Sequence, residues 1–344
     1  MILSDQAHVP SEDWAIFYVE VKNSVRPFKT HRQQLAILRS RNLVIPDGSR
    51  AMRILEKENY YNVINGYKDL FLETDSNDSF KVPEEYKFGT TFDEIYHLFS
   101  LDRDLRNILL KYLLIFENSI KSKISYYFSK THREDHAYLQ LKNYSKDPSK
   151  LSTILNLITK LSQQISKSAQ RDSPIKHYLD NHDSVPLWVL VNYLTLGVMS
   201  NFFSCLTPSI QDLICKDYSK QFNKDYGTTY QVTNECIEGV LKSANLFRNV
   251  CAHEERLYNF KVNKTPKNSH ASKILGIPIS FLNGNLFTMI AFLKIVLSKK
   301  DFKTLVRTLR DLFNQYQSKF TTIRHDQILL RMGFPKDWTI YLKV

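Results

Sequence analysis

Glycine is scarce in this chain, nine in 344 residues. No two stand in GxG spacing and none opens a GK[ST] run, which removes the dinucleotide fingerprint and the phosphate-cradling glycine loop. The HExxH of zinc hydrolases and the GxSxG of serine hydrolases are also missing, and no His/Cys cluster has metal-ligand spacing. The four cysteines, Cys205, Cys215, Cys236 and Cys251, include no CxxC pair and are too sparse for a disulfide scaffold. They read as reduced thiols of a cytoplasmic protein. The first residues lack the charged-then-apolar order of a signal peptide. The one long uncharged run, 187–206, holds two Asn, a Thr and two Ser between Pro186 and Pro208, so a buried helix fits it better than a membrane span. Neither a cofactor nor a metal is expected.

What is present is helical periodicity and positive charge. Low glycine with abundant Leu, Ile, Lys and Asn predicts an all-α fold. The net charge is +12, and its placement is uneven. Residues 261–344 hold fifteen Lys or Arg against four Asp and no Glu, about +11, while the first 260 residues are nearly neutral. A basic third of a chain suits a polyanionic partner. Within it Phe302, Leu305, Val306, Leu309, Leu312, Phe313 and Tyr316 form a helical stripe. Lys299, Lys303, Arg307 and Arg310 fall opposite, as a candidate phosphate-contacting row.

In chain order, 14–21 reads as a short strand or an apolar arm. Helices follow from Lys29, with Asp47 or Ser49 capping the second and an aromatic cluster from Tyr60 to Phe71. Core packing is the main expectation for those rings, and stacking on bases the alternative. Residues 74–85 read as a polar loop, and 91–130 as two helices parting near Asp102. Glu117 lies beside the second stripe, buried in part and in need of a partner, with Arg the expected one. A loop over 132–147, a helix over 152–170, the apolar stretch from Pro186, and helices over 210–223, 232–253 and 285–297 complete the series.

Residues 245–259, NLFRNVCAHEERLYN, organise the functional reading. Arg248, Asn249 and His253 have Arg-x4-His spacing. Two similar pairs, Arg26 with His31 and Arg171 with His177, each enclose a proline, which disfavours an ordered helix. At 100° per residue, Ile237, Val240, Leu241, Ala244, Phe247 and Cys251 share an arc of about 120°. Arg248 sits at its edge, and Asn249 and His253 on the far side. The plain alternative is a surface Arg and His with no task.

Four ordered segments carry a family resemblance: LAILRSRNLVIPDGSRAMRILEKENYYNVINGY, FGTTFDEIYHLFSLDRDLRNILLKYLLIFENSI, VPLWVLVNYLTLG and RNVCAHEERLYN. A fifth, MGFPKDW at 332–338, resembles the usual ending. Together they resemble the abortive-infection (Abi) family of the AbiD and AbiF type, whose core is similar to HEPN ribonuclease domains. The resemblance implies a HEPN-like helical bundle with additional N-terminal and C-terminal helices. With the polar loop over 74–85 and the basic stretch from 261, the expected division is an N-terminal region over 1–80, a core over 81–260 carrying RNxxxH, and a basic region over 261–344. The resemblance further implies a metal-independent endoribonuclease of anti-phage defence. Arg248, Asn249 and His253 would be catalytic, paired with a second copy across a homodimer cleft. Arg256 and Asn259 match the motif's tail, and with Glu117 they are the expected supporting residues. Two departures stand out: Asn192 where relatives commonly have an acidic residue, and Tyr258 where Trp is common. The alternatives are a non-cleaving protein that holds a structured RNA, and an interaction module of a toxin–antitoxin complex. Expected partners are accordingly RNA, a second copy and an antitoxin or regulatory RNA, without a membrane.

Overall fold

A computed structural model describes residues 27–262 and 269–343. The 14–21 segment and Arg26 lie outside them. Among the described residues the architecture is all-α, with isolated β-bridges and no strand.

Several helices begin where a side chain satisfies the first free amides. Thr30 and Gln33 form a reciprocal capping box for α1 (His31–Ser40), and Asp47 rather than Ser49 caps α2 (Gly48–Glu58). A single π-turn, Tyr61–Asn65, follows α2. Thr91 and Glu94 box the start of α3, Phe92–Thr131. Here the structure corrects the expected pair of helices, because α3 runs unbroken for 40 residues, about 60 Å at 1.5 Å per residue. Asp102 does not cap a new helix; it is fully buried in the middle of this one. The predicted stripes, from Ile95 and Leu98 through Leu105, Leu109, Leu113, Phe116 and Ile120, all reach the core.

After α3 the chain passes through short 3-10 turns over 137–143 into α4 (Leu151–Ala169) and α5 (Pro174–His182). The uncharged stretch is two short helices, not one. Between α6 (Leu187–Leu190) and α7 (Leu196–Cys205) lies a 3-10 turn, and Thr195 caps α7 by accepting from the Val198 amide. No helix among the described residues is long and apolar enough to cross a membrane.

Two long helices follow, α8 (Pro208–Tyr226) and α9 (Asn234–Ala252). Helix α9 packs mainly on α7 and α3. Its predicted stripe is buried, and so are Gly239, Ser243 and Val250, so the helix is covered more widely than a one-sided surface helix. Gly197 on α7 permits the close approach: a Cβ there would lie 3.0 Å from the Asn245 side-chain oxygen of α9.

The basic region forms α10 (Ser269–Leu275), α11 (Leu286–Val296), α12 (Lys299–Gln317), α13 (His325–Arg331) and α14 (Trp338–Tyr341). Every residue of α11 is buried, including Lys294, whose ammonium donates to the Lys343 carbonyl at 2.7 Å. The whole predicted stripe of α12 is buried, and the helix lies along α3. Glu94 ties the first turn of α3 to the turn before α13, accepting from the Thr321 and Thr322 amides at 2.7 Å each. One connected apolar core therefore runs through all three sequence regions. The four cysteines are buried and unpaired. Burial pushes the thiols of Cys215, Cys236 and Cys251 up to about 12, which suits inert core residues.

In MGFPKDW, Gly333 takes a positive φ of 85° and its missing Cβ leaves room for the Asn285 side chain. Asn285 in turn caps α11 through the Thr288 amide.

Candidate functional site

Helix α9 ends in a turn that fixes where His253 stands. His253 is the capping residue, with its amide bonded to the Asn249 carbonyl at 2.9 Å. Glu254 then adopts a left-handed φ of 56°, and the Glu255 amide reaches back to the Val250 carbonyl at 3.0 Å. This is the six-to-one bond of a Schellman end, with Glu where glycine is usual. Nothing in the sequence signals it. Asn249 and His253 are exposed, Arg248 is half-buried, and neither the Asn249 amide nor the His253 ring has a hydrogen-bond partner among the described residues. The three motif residues thus share the last turns of one helix, Arg248 toward Glu117 and the Asn249 and His253 side chains exposed. Of the two similar pairs, Arg171 follows α4 whereas His177 lies in α5, so no single helix displays both.

Glu117 on α3 is buried, as expected, but its closest partner is Lys121 one turn along, at 2.7 Å. The expected arginine is present at longer range, with Arg248 Nε 3.7 Å from the other carboxylate oxygen. That separation exceeds a hydrogen bond, and both atoms lack another partner among the described residues. The carboxylate is shared between two cations, held by Lys121 and attracting Arg248. Lys121 was legible as the i+4 cation of Glu117 on a helix.

The segment after His253 is clamped to α3 and to the N-terminal region. Asp102, fully buried, accepts from the Tyr67 hydroxyl at 2.6 Å, Arg106 at 2.6 Å and the Leu257 amide at 3.0 Å. Burial raises the Asp102 carboxyl above the ordinary carboxylate range, against the pull of Tyr67, the Leu257 amide and Arg106. Arg106 also donates to the Glu255 carbonyl at 3.3 Å. Arg256 donates to the Gly66 carbonyl at 2.6 Å, lies 3.8 Å from Asp69, and covers the Tyr258 ring. Tyr258 is buried and stacks on Tyr67 with ring centres 5.5 Å apart. Asn259 is half-buried just beyond. In the sequence Asp102 reads as a helix break and Arg106 is not singled out, although the two stand at i,i+4 on one helix.

Between this segment and the π-turn lies an open cleft of about 550 Å³, with His253 on one side and Tyr61, Asn62 and Asn65 on the other. Tyr61 is 70% exposed, whereas Tyr67 and Phe71 of the same aromatic cluster pack in the core.

Asn192 makes no contact with this site. It is exposed, and its amide donates to the Trp188 and Val189 carbonyls of its own turn.

Lys299, Lys303, Arg307 and Arg310 are all exposed on α12. The last three border a groove of about 360 Å³ with Lys300 and Lys343 and no acidic residue in its lining, while Lys299 lies over the Tyr226 ring instead. No hydrogen bond or ion pair among the described residues joins this row to Arg248, Asn249 or His253.

Compared with known proteins, residues 53–259 match the model of a family described as Abi-like protein. No curated protein and no solved structure matches the chain.

Proposed function

Because the chain belongs to the Abi-like protein family, which suggests abortive-infection defence, we propose that it is a metal-independent endoribonuclease working in the cytoplasm. A HEPN-like core would then carry the site at the end of α9. The observation that supports this reading is the position of Arg248, Asn249 and His253 on the last turns of α9, with the amide and imidazole exposed.

RNA brings its own nucleophile. The 2′-oxygen attacks the adjacent phosphorus while the bond from phosphorus to the 5′-oxygen breaks. A base accepts the 2′-hydroxyl proton, and an acid gives one to the departing 5′-oxygen. Imidazole as a residue type exchanges a proton near neutrality and suits either task. The Arg248 guanidinium stabilises charge on the non-bridging phosphate oxygens with paired hydrogen bonds. In that role the long, unfilled approach to Glu117 matters: it restrains Arg248 without spending its donors. Asn249, one turn from His253, orients the ring or the phosphate. One chain supplies one such His, so the reading pairs two chains across a homodimer cleft to provide both acid and base. An antitoxin or regulatory RNA would restrain the pair.

The test is incubation of wild type, Arg248→Ala and His253→Ala with total RNA in EDTA, followed by mapping of fragment ends. Cleavage by wild type alone, leaving 2′,3′-cyclic phosphates, is the expected result. Equal cleavage by all three would remove α9 from the chemistry. A second reading, a non-cleaving protein that holds a structured RNA, draws on the exposed α12 row. It is favoured if all three bind RNA alike and leave it intact.

A further inference from the structure

The cleft beside His253 is not built like a phosphate groove. Its guanidiniums are already engaged: Arg103 by Glu58 at 3.0 Å, Arg106 by Asp102, and Arg256 by Gly66 and Asp69. Glu254 and Glu255 are exposed at its edge and would repel a phosphate. Besides the His253 ring, the uncommitted polar groups include the amides of Asn62 and Asn65 and these two carboxylates, none with a side-chain partner among the described residues. Exposed Tyr61 on the π-turn presents an aromatic face to it, backed by the buried rings of Tyr67 and Phe99, edge to face at 5.6 Å. Aromatic surface with amides and carboxylates around it is what a nucleobase requires, as stacking area plus edge donors and acceptors.

The backbone supports that assignment. Asn59 leaves α2 at a positive φ of 65°, and its side-chain oxygen accepts from the Tyr61 amide at 2.9 Å. The π-turn that follows sets Tyr61 and Asn62 outward while Val63 and Ile64 are buried. Single π-turns are rare and recur at functional sites.

We propose that this cleft receives the base next to the cleaved phosphate, Tyr61 stacking on it and Asn62, Asn65, Glu254 and Glu255 reading its edge. Carboxylates accept from exocyclic amino groups, so adenine, cytosine and guanine are favoured and uracil, with carbonyl oxygens in those places, is disfavoured. The inference rests on the ribonuclease reading for its position beside the reacting phosphate, but base selection can be measured without cleavage.

The probes are fluorescent 2′-fluoro RNA hexamers of A, C or U, which lack the nucleophile, titrated into the full chain. Uridine hexamers are expected to bind about tenfold more weakly than the others. Tyr61→Ala should weaken A and C hexamers about tenfold, and Asn62→Ala or the pair Glu254→Gln, Glu255→Gln should narrow the gap between U and the rest. Both Tyr61 and Asn62 are exposed, so these variants leave the core intact. Equal affinity for the three hexamers, or a gap that none of the variants changes, overturns the proposal. Discrimination by a wild type that never cleaves RNA would uphold the base cleft and sink the ribonuclease reading. Cleavage with no base preference would do the reverse.

Discussion

Replacing Asp102 with Asn tests whether a buried ion pair holds the segment that follows the motif. Asp102 has no exposure and Arg106 little, and the carboxylate takes three donors, from Tyr67, Arg106 and the Leu257 amide. All three donors meet Oδ2 and Oδ1 has no partner among the described residues, so an amide in its place can keep its oxygen toward them but removes the charge opposite Arg106. Breaking a buried pair by altering one partner costs roughly 3–5 kcal/mol. Tyr67→Phe deletes the hydrogen bond donated to the carboxylate and the longer one accepted from Arg106 at 3.3 Å, and should cost about 1.5–3 kcal/mol. The double replacement Asp102→Leu, Arg106→Met removes both charges and should cost less than the two single replacements summed. Urea unfolding midpoints at pH 7, followed by circular dichroism, give the three values. Hydrogen exchange at the Leu257 amide gives a local readout, with protection falling sharply in Asp102→Asn. A cost below about 1 kcal/mol with unchanged Leu257 exchange refutes the reasoning. Asp102 would then be protonated in the folded protein, burial having outweighed its donors.

Gly333→Ala would force a Cβ into the Asn285 side chain from a left-handed backbone, and is expected to lower stability by about 2 kcal/mol through strain and a lost cap. Thermal unfolding of the variant reads it directly. Acid should destabilise the protein in two stages. Burial holds His97, His132 and His325 below the ordinary histidine value of 6.5, so their contribution is full above that pH and is lost as pH falls below it. For Glu94, burial is outweighed by the Thr322 and Thr321 amides and the carboxyl is held below its ordinary 4.5, so its contribution is present above that value and lost further down. Urea midpoints against pH should show both stages, and Glu94→Gln should flatten only the lower one. If α12 contacts RNA phosphates, Lys303→Ala with Arg307→Ala should reduce the slope of log affinity against log salt by about 1.4 for single-stranded RNA. An unchanged slope places the contact elsewhere.

Local periodicity made α9 and α12 legible: their stripes could be drawn by angle, and the charged row of α12 followed from them. It failed where a residue's partner is distant. Asp102 looked like a break in α3 because its Leu257 partner lies 155 residues away, and nothing local distinguishes a buried acid from a capping one. Glu117 was correctly expected to be buried. Its nearest partner was misjudged because Lys121 on the same helix is closer than any arginine. The π-turn at Tyr61–Asn65 and the left-handed Glu254 carry no compositional mark.

Helix α3 touches the candidate site twice, at Asp102 and Arg106 through the segment after His253, and at Glu117 through Arg248. These stations are fifteen residues apart on one unbroken rod, about 22 Å. A single unbroken element therefore serves as the ruler against which both parts of the motif are set. Small shifts of the surrounding helices move guanidinium and imidazole segments together, preserving their mutual spacing. The heat tolerance of the site should accordingly track the melting of α3 itself, with no separate, earlier loss of alignment.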